Sequence, residues 1–129
     1  MKRKIISLKE NHMFAKTYNR GICQISKMCA VYVLKNYKKE KDGRPQKTKL
    51  GITVNRKLGG ACKRNRVKRM IREAYRQNMH LIPDGFIIVV AARSAAFAPQ
   101  VKTQNISGNL CSVLSGIDFN SINKNGGKK

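Results

Sequence analysis

Residues 56–76 read Arg56-Lys57-Leu58-Gly59-Gly60-Ala61-Cys62-Lys63-Arg64-Asn65-Arg66-Val67-Lys68-Arg69-Met70-Ile71-Arg72-Glu73-Ala74-Tyr75-Arg76, with nine basic residues and one acidic. At 100° per residue, Val67, Met70, Ile71, Ala74 and Tyr75 share an arc of about 140°. Asn65, Lys68, Arg69, Arg72 and Arg76 fall on the opposite arc. The pattern predicts a helix over Lys63–Met79 that packs one face on a sheet and presents cations on the other. A face that merely meets water mixes signs and gains i,i+4 pairs, whereas Arg64, Lys68, Arg72 and Arg76 set like charges four apart, which costs stability. Arg outnumbers Lys five to two between Lys63 and Arg76, and the guanidinium fork suits bidentate contact with phosphate and stacking on bases. Gly59-Gly60 either lets the backbone approach an anion at the helix N-terminus or makes a plain turn.

On either side of this helix lie β-rich runs. Thr48–Val54 precedes it, and Gly85–Ala92, containing Phe86-Ile87-Ile88-Val89-Val90, follows it. Their β-branched content favours strands. Ser26–Leu34 is a further expected strand. Ser7 and Glu10 form a possible capping box for a first helix ending at Arg20 before Gly21, with Met13, Phe14, Thr17 and Tyr18 on one side. A last helix is expected over Val101–Leu114, weakened by Gly108. These elements give the order α-β-β-α-β-α, an α+β sandwich of helices against one sheet. Lys35–Lys47 reads as a loop, and the polar tail as disordered.

The charge comes from 28 Lys and Arg against six Asp and Glu, a net +22 over 129 residues. With 41% hydrophobic residues the chain is globular, so this charge sits on a folded surface and repels itself unless a polyanion is present. The longest apolar run is too short for a membrane span and the N-terminus lacks a signal-peptide core, which makes the expected location cytoplasmic. Cys23, Cys29, Cys62 and Cys111 form no C-x-x-C pair and are expected as free, mostly buried thiols; no metal site is expected. The six carboxylates, Glu10, Glu40, Asp42, Glu73, Asp84 and Asp118, form no pair in sequence able to hold two metals. Neither His12 nor His80 has the company of a general base. As a free-standing nuclease the chain is poorly equipped.

The ordered set Gly51-Ile52-Thr53-Val54-Asn55-Arg56-Lys57-Leu58-Gly59-Gly60-Ala61, Arg64-Asn65-Arg66-Val67-Lys68-Arg69 and Ile71-Arg72-Glu73-Ala74-Tyr75-Arg76 resembles the signature of the bacterial ribonuclease P protein subunit. Leu8, Phe14, Tyr18 and Gly21 match that family's first-helix spacing, and Gly85–Arg93 its fourth strand. The resemblance spans residues 7–116. It implies an α-β-β-β-α-β-α fold similar to ribosomal protein S5 domain 2, with the extra strand expected near Lys35–Lys47 or within Thr48–Lys57. The implied domain is 1–116, followed by a disordered basic tail over 117–129.

By the same resemblance the protein is the partner of a catalytic RNA. That ribonucleoprotein is an endoribonuclease that removes the 5′ leader of precursor tRNA with Mg²⁺ bound mainly by the RNA, and no membrane or small-molecule cofactor takes part. Arg64, Asn65, Arg66, Lys68, Arg69, Arg72 and Arg76 would contact the RNA subunit. Phe14, Tyr18 and Tyr32 would line a leader cleft, with Arg56 and Lys57 beside it; for Phe14 a core role is an equal alternative. Aromatic faces stack on any base, which suits leaders of varied sequence. This chain departs from the pattern at Thr17 (usually aliphatic), Gly60 (usually Asn) and Met70 (often basic). A general RNA-binding protein on the same fold is the competing reading. A membrane-surface protein fits poorly, because the apolar arc of the Arg-rich helix is suited to a sheet.

Overall fold

Phe86-Ile87-Ile88-Val89-Val90 reads as an unbroken apolar run because it becomes the centre of the sheet, buried on both faces. The structure, a computed structural model, describes residues 5–9, 11–36 and 39–119. Its elements are β1 (Ile6–Ser7), α1 (Asn11–Arg20), β2 (Ile22–Ile25), β3 (Cys29–Lys35), β4 (Lys49–Thr53), α2 (Ala61–Asn78), β5 (Phe86–Ala92) and α3 (Thr103–Ser115). Short 3₁₀ turns occupy Arg56–Leu58, Met79–Leu81 and Ser94–Phe97. The five strands lie in the order β1-β4-β5-β3-β2. β5 runs parallel to β4 and antiparallel to β3.

Alternation along the strands divides the core into two layers. Val31, Val33, Leu50, Ile88 and Val90 pack with Val67, Ile71, Tyr75, Ile106 and Leu110 of α2 and α3. On the other face Leu34, Ile87 and Val89 pack with Leu8 and with Met13, Phe14 and Tyr32. The molecule is therefore α1, then sheet, then the α2–α3 pair. α1 ends where the chain passes close to β3: the Gly21 N–H donates to the Thr17 carbonyl at 2.9 Å. A Cβ at this position would lie 2.6 Å from that oxygen and 2.8 Å from the Val33 carbonyl. Thr17 is fully buried and satisfies its hydroxyl by donating to the Met13 carbonyl at 2.7 Å, which is how a polar residue fills a position expected to be aliphatic.

Four expectations need correction. Two strands are missing from the residue-by-residue reading, β1 and β2, and neither lies within 35–57. As an edge strand with three of four residues exposed, Ile22–Ile25 has little apolar pattern to announce it. The expected strand from Ser26 accordingly begins at Cys29, after a turn in which Ser26 Oγ donates to the Cys29 carbonyl. Ser7 is no helix cap: it pairs with Leu50 in β1, and α1 starts at Asn11; Glu10 lies outside the described residues. The folded unit extends past 116, because Ile117 and Phe119 are buried in the α2–α3 layer and the Phe119 ring meets Phe86 edge-on at 5.0 Å. Residues 120–129 lie outside the described residues. Finally, the four cysteines are free, but Cys23, Cys62 and Cys111 are exposed and only Cys29 is buried.

Burial pushes the Cys29 thiol up to about 12 from its ordinary 9.0. Above pH 9 the unfolded chain loses a proton that the native state keeps, so stability falls as pH rises from 9 towards 12, by at most about 1.4 kcal/mol per unit. Thermal melts across this range should show a shallower decline for Cys29→Ala than for the parent chain; parallel declines would refute the assignment.

Candidate nucleic-acid interface

The expected helix forms as α2, and its buried side chains are Val67, Met70, Ile71, Ala74, Tyr75 and Asn78, the apolar arc read from the sequence plus one asparagine. Asn78 is satisfied by donating to the Ala74 carbonyl and to Ser107. Met70, in a position where the family pattern is often basic, belongs to the core. The cations of α2 fall into two groups. Three are tied to the protein: Arg64 Nε donates to the Gly59 carbonyl at 3.1 Å, Arg66 Nη2 to the Val101 carbonyl at 2.6 Å, and Arg76 pairs with Glu73 at 2.7 Å. Lys63, Lys68, Arg69 and Arg72, with the neutral Asn65 among them, are exposed and have no protein partner among the described residues. The like-charge column is thus relieved at both ends, leaving Lys68 and Arg72 as an unrelieved i,i+4 pair beside Arg69. At the helix start a Cβ on Gly59 would press on the Phe97 ring at 3.2 Å, whereas one on Gly60 would meet nothing within 4 Å, so the Gly60 side is open to solvent.

The second cluster lies on the opposite face of the sheet. α1 carries Phe14 and Tyr18 above β4, β5 and β3. Phe14 is half-buried against the smaller core layer, its ring so close over Gly51 that a Cβ there would come within 2.5 Å of it. Tyr18 is 38% exposed; its hydroxyl shares a 2.8 Å hydrogen bond with Thr53 Oγ1 and its ring meets Tyr32 edge-on at 4.7 Å. Tyr32 stands opposite Cys23 of β2. Burial, then a hydrogen bond with the Cys23 thiol, raises Tyr32 above the ordinary phenol range, so it remains a neutral hydroxyl at physiological pH. Beyond Tyr18 the surface opens into a concavity of about 370 Å³ lined by Tyr18, Thr53, Val54, Asn55, Ala91 and Ala92.

The structure therefore brings Phe14, Tyr18 and Tyr32 together and keeps them apart from the α2 cations. The two surfaces are joined round the end of the sheet by residues 54–60. There Asn55 Oδ1 accepts from the Lys57 N–H at 2.9 Å and holds Arg56 and Lys57 exposed in a 3₁₀ turn. Thr53, Asn55 and Ala91 were missed in the sequence; only the β-sheet register, which puts Thr53 beside Ala91, reveals them. Among the described residues no three His, Cys, Asp or Glu side chains converge, so their donor set does not fit a magnesium site. No helix among them is long and apolar enough to cross a membrane.

Because Phe14 sits against Gly51, Gly51→Ala should cost about 1–3 kcal/mol by overpacking and almost nothing when Phe14 is also alanine. Denaturant unfolding of the four-member cycle measures this, and equal costs in both backgrounds would show that the ring is not the obstacle.

A model of the Ribonuclease P family matches residues 1–117. The chain belongs to the ribonuclease P protein family. It is 39% identical over 87 residues to the ribonuclease P protein component of Clostridioides difficile, covering 67% of this chain and 70% of that one. The RNase P protein from Thermotoga maritima superposes with a TM-score of 0.70 at 29% identity, covering 90% of this chain and 99% of that one. The Staphylococcus aureus RNase P protein gives 0.67 at 30% identity, covering 95% and 99%. As a ribonuclease P protein component, the chain binds the RNA of that ribonucleoprotein and serves the endoribonuclease that matures tRNA 5′ ends.

Proposed function

We propose that the two surfaces divide the work of this subunit. The α2 face, with Asn65, Lys68, Arg69 and Arg72 as free contacts and Arg64, Arg66 and Arg76 as contacts already held in place, docks on the ribonuclease P RNA. Phe14, Tyr18 and Tyr32, with Arg56 and Lys57 at the neighbouring turn, receive the single-stranded 5′ leader of precursor tRNA. Magnesium is held by the RNA, which carries the hydrolysis, and the complex works in the cytoplasm. The observation that carries this reading is the separation of the partnerless cations from the tyrosine pair on opposite faces of one sheet, which lets one protein touch two RNAs at once. Phosphate contacts supply affinity without sequence preference, and ring stacking tolerates any base.

The test is 5′-leader cleavage of precursor tRNA at near-physiological Mg²⁺ with a bacterial ribonuclease P RNA, with and without this protein. Cleavage that requires both is the expected result. Cleavage by the protein alone would overturn the division of labour, and tight RNA binding without rescue would favour a general RNA-binding role.

A further inference from the structure

Ile25 is 64% exposed, the most open large apolar side chain among the described residues. It lies on β2, at the edge of the sheet. Cross-strand pairing sets its direction: Cys23 stands opposite Tyr32, and Ile25 opposite Ala30, so both point to the α1 side. The pairs Thr53↔Ala91, Ala91↔Ala30 and Ala30↔Ile25 make one row across four strands. The adjacent row, Gly51–Val89–Tyr32–Cys23, underlies Phe14 and Tyr18. The Ile25 row therefore begins beneath the concavity beside Tyr18 and ends at the edge of the molecule.

The rim of this row is cationic. Arg93, two residues beyond Ala91, is exposed and its Nη1 donates to the Ser26 carbonyl at 2.8 Å, next to Ile25 in the chain. Lys27, in the same turn, is also exposed. An apolar floor edged by cations complements a polyanion that carries unpaired bases. A second copy of this chain would instead bring another +22 against the same edge.

We propose that Ile25 is the outer end of the leader-binding surface: a base of the single-stranded leader that has passed the Tyr18–Tyr32 pair lies against its side chain. This rests on the leader reading above. The test uses the holoenzyme assembled with a bacterial ribonuclease P RNA and compares affinities for precursor tRNA with a long leader, a short leader and none. Ile25→Phe should tighten long-leader binding by about two- to fivefold through stacking, and Ile25→Asp should weaken it by about tenfold through repulsion of phosphates. Neither should change binding of the leaderless tRNA. Thermal melts establish that these exposed-site variants fold. If Tyr18→Ala weakens long-leader binding while both Ile25 variants leave it unchanged, the Ile25 assignment falls and the leader cleft stands. If none of the three has an effect, both readings fall. An Ile25→Asp effect that is equal with and without a leader, or that converts a sedimenting dimer into a monomer, would overturn the assignment in favour of a general RNA contact or a self-interface.

Discussion

Replacing Lys68, Arg69 and Arg72 together by alanine should weaken binding to ribonuclease P RNA by about a hundred- to a thousandfold near physiological salt. It should also flatten the dependence of log affinity on log salt by about two to three units. These three side chains are exposed and have no protein partner among the described residues, so the loss is of phosphate contact alone. Folding should not suffer. The substitutions remove a like-charge i,i+4 pair and introduce the best helix former, so the free variant should melt at the same temperature or higher. Arg66→Ala should behave differently, because its guanidinium also fastens α2 to the Val101 carbonyl; it should lower both the salt slope, by about one, and the stability of the free protein. Filter binding over a salt series, paired with melts, separates these effects. An unchanged slope in the triple variant would remove α2 from the RNA interface.

For Tyr18→Ala the expected loss is about five- to 150-fold in affinity for leader-bearing precursor tRNA, the equivalent of about 1–3 kcal/mol for one stacked base. The salt slope and the affinity for leaderless tRNA should not change. Tyr18→Phe keeps the ring against Tyr32 and loses only the 2.8 Å hydrogen bond to Thr53, so it should cost about threefold or less. The contrast between the two variants distinguishes stacking from hydroxyl recognition. Equal losses would mean that the hydroxyl, not the ring, is what the leader meets, and a loss that persists without a leader would place Tyr18 outside the cleft.

Those parts of the molecule governed by local periodicity were legible in the sequence. The arc of Val67, Met70, Ile71, Ala74 and Tyr75 is written at i, i+3, i+4 spacing over about two and a half turns, and the buried run of β5 has no other reading than strand or core. Phe14 and Tyr18, four apart on α1, declare a shared face in the same way. What escaped was set by contacts distant in sequence. Among the described residues β2 has only one neighbouring strand, and three of its four residues are exposed, so its composition did not need to look like a strand. Ile117 and Phe119 look like strays in a polar tail until Phe86, 33 positions away, supplies the ring that Phe119 packs on. The division of the arginines into held and free depends on carbonyls such as that of Val101, 35 residues from Arg66. Phe14 was open between cleft and core; its ring lies half-buried over Gly51 and packs on the smaller core layer.

The place of β5 in the sheet has a consequence for how the protein is made. β3 and β4 are consecutive in the chain but not neighbours; β5 enters between them. During synthesis, the strands completed before residue 86 have no central partner, and most of the sheet's pairing waits until Ala92 has left the ribosome. The Arg-rich helix is finished earlier, at Asn78, and so emerges as a bare polycation with its apolar arc uncovered. Non-local pairing of this kind folds slowly and exposes the chain to aggregation. A nascent chain stopped at residue 85 should therefore show no cooperative unfolding, and one stopped at residue 119 should.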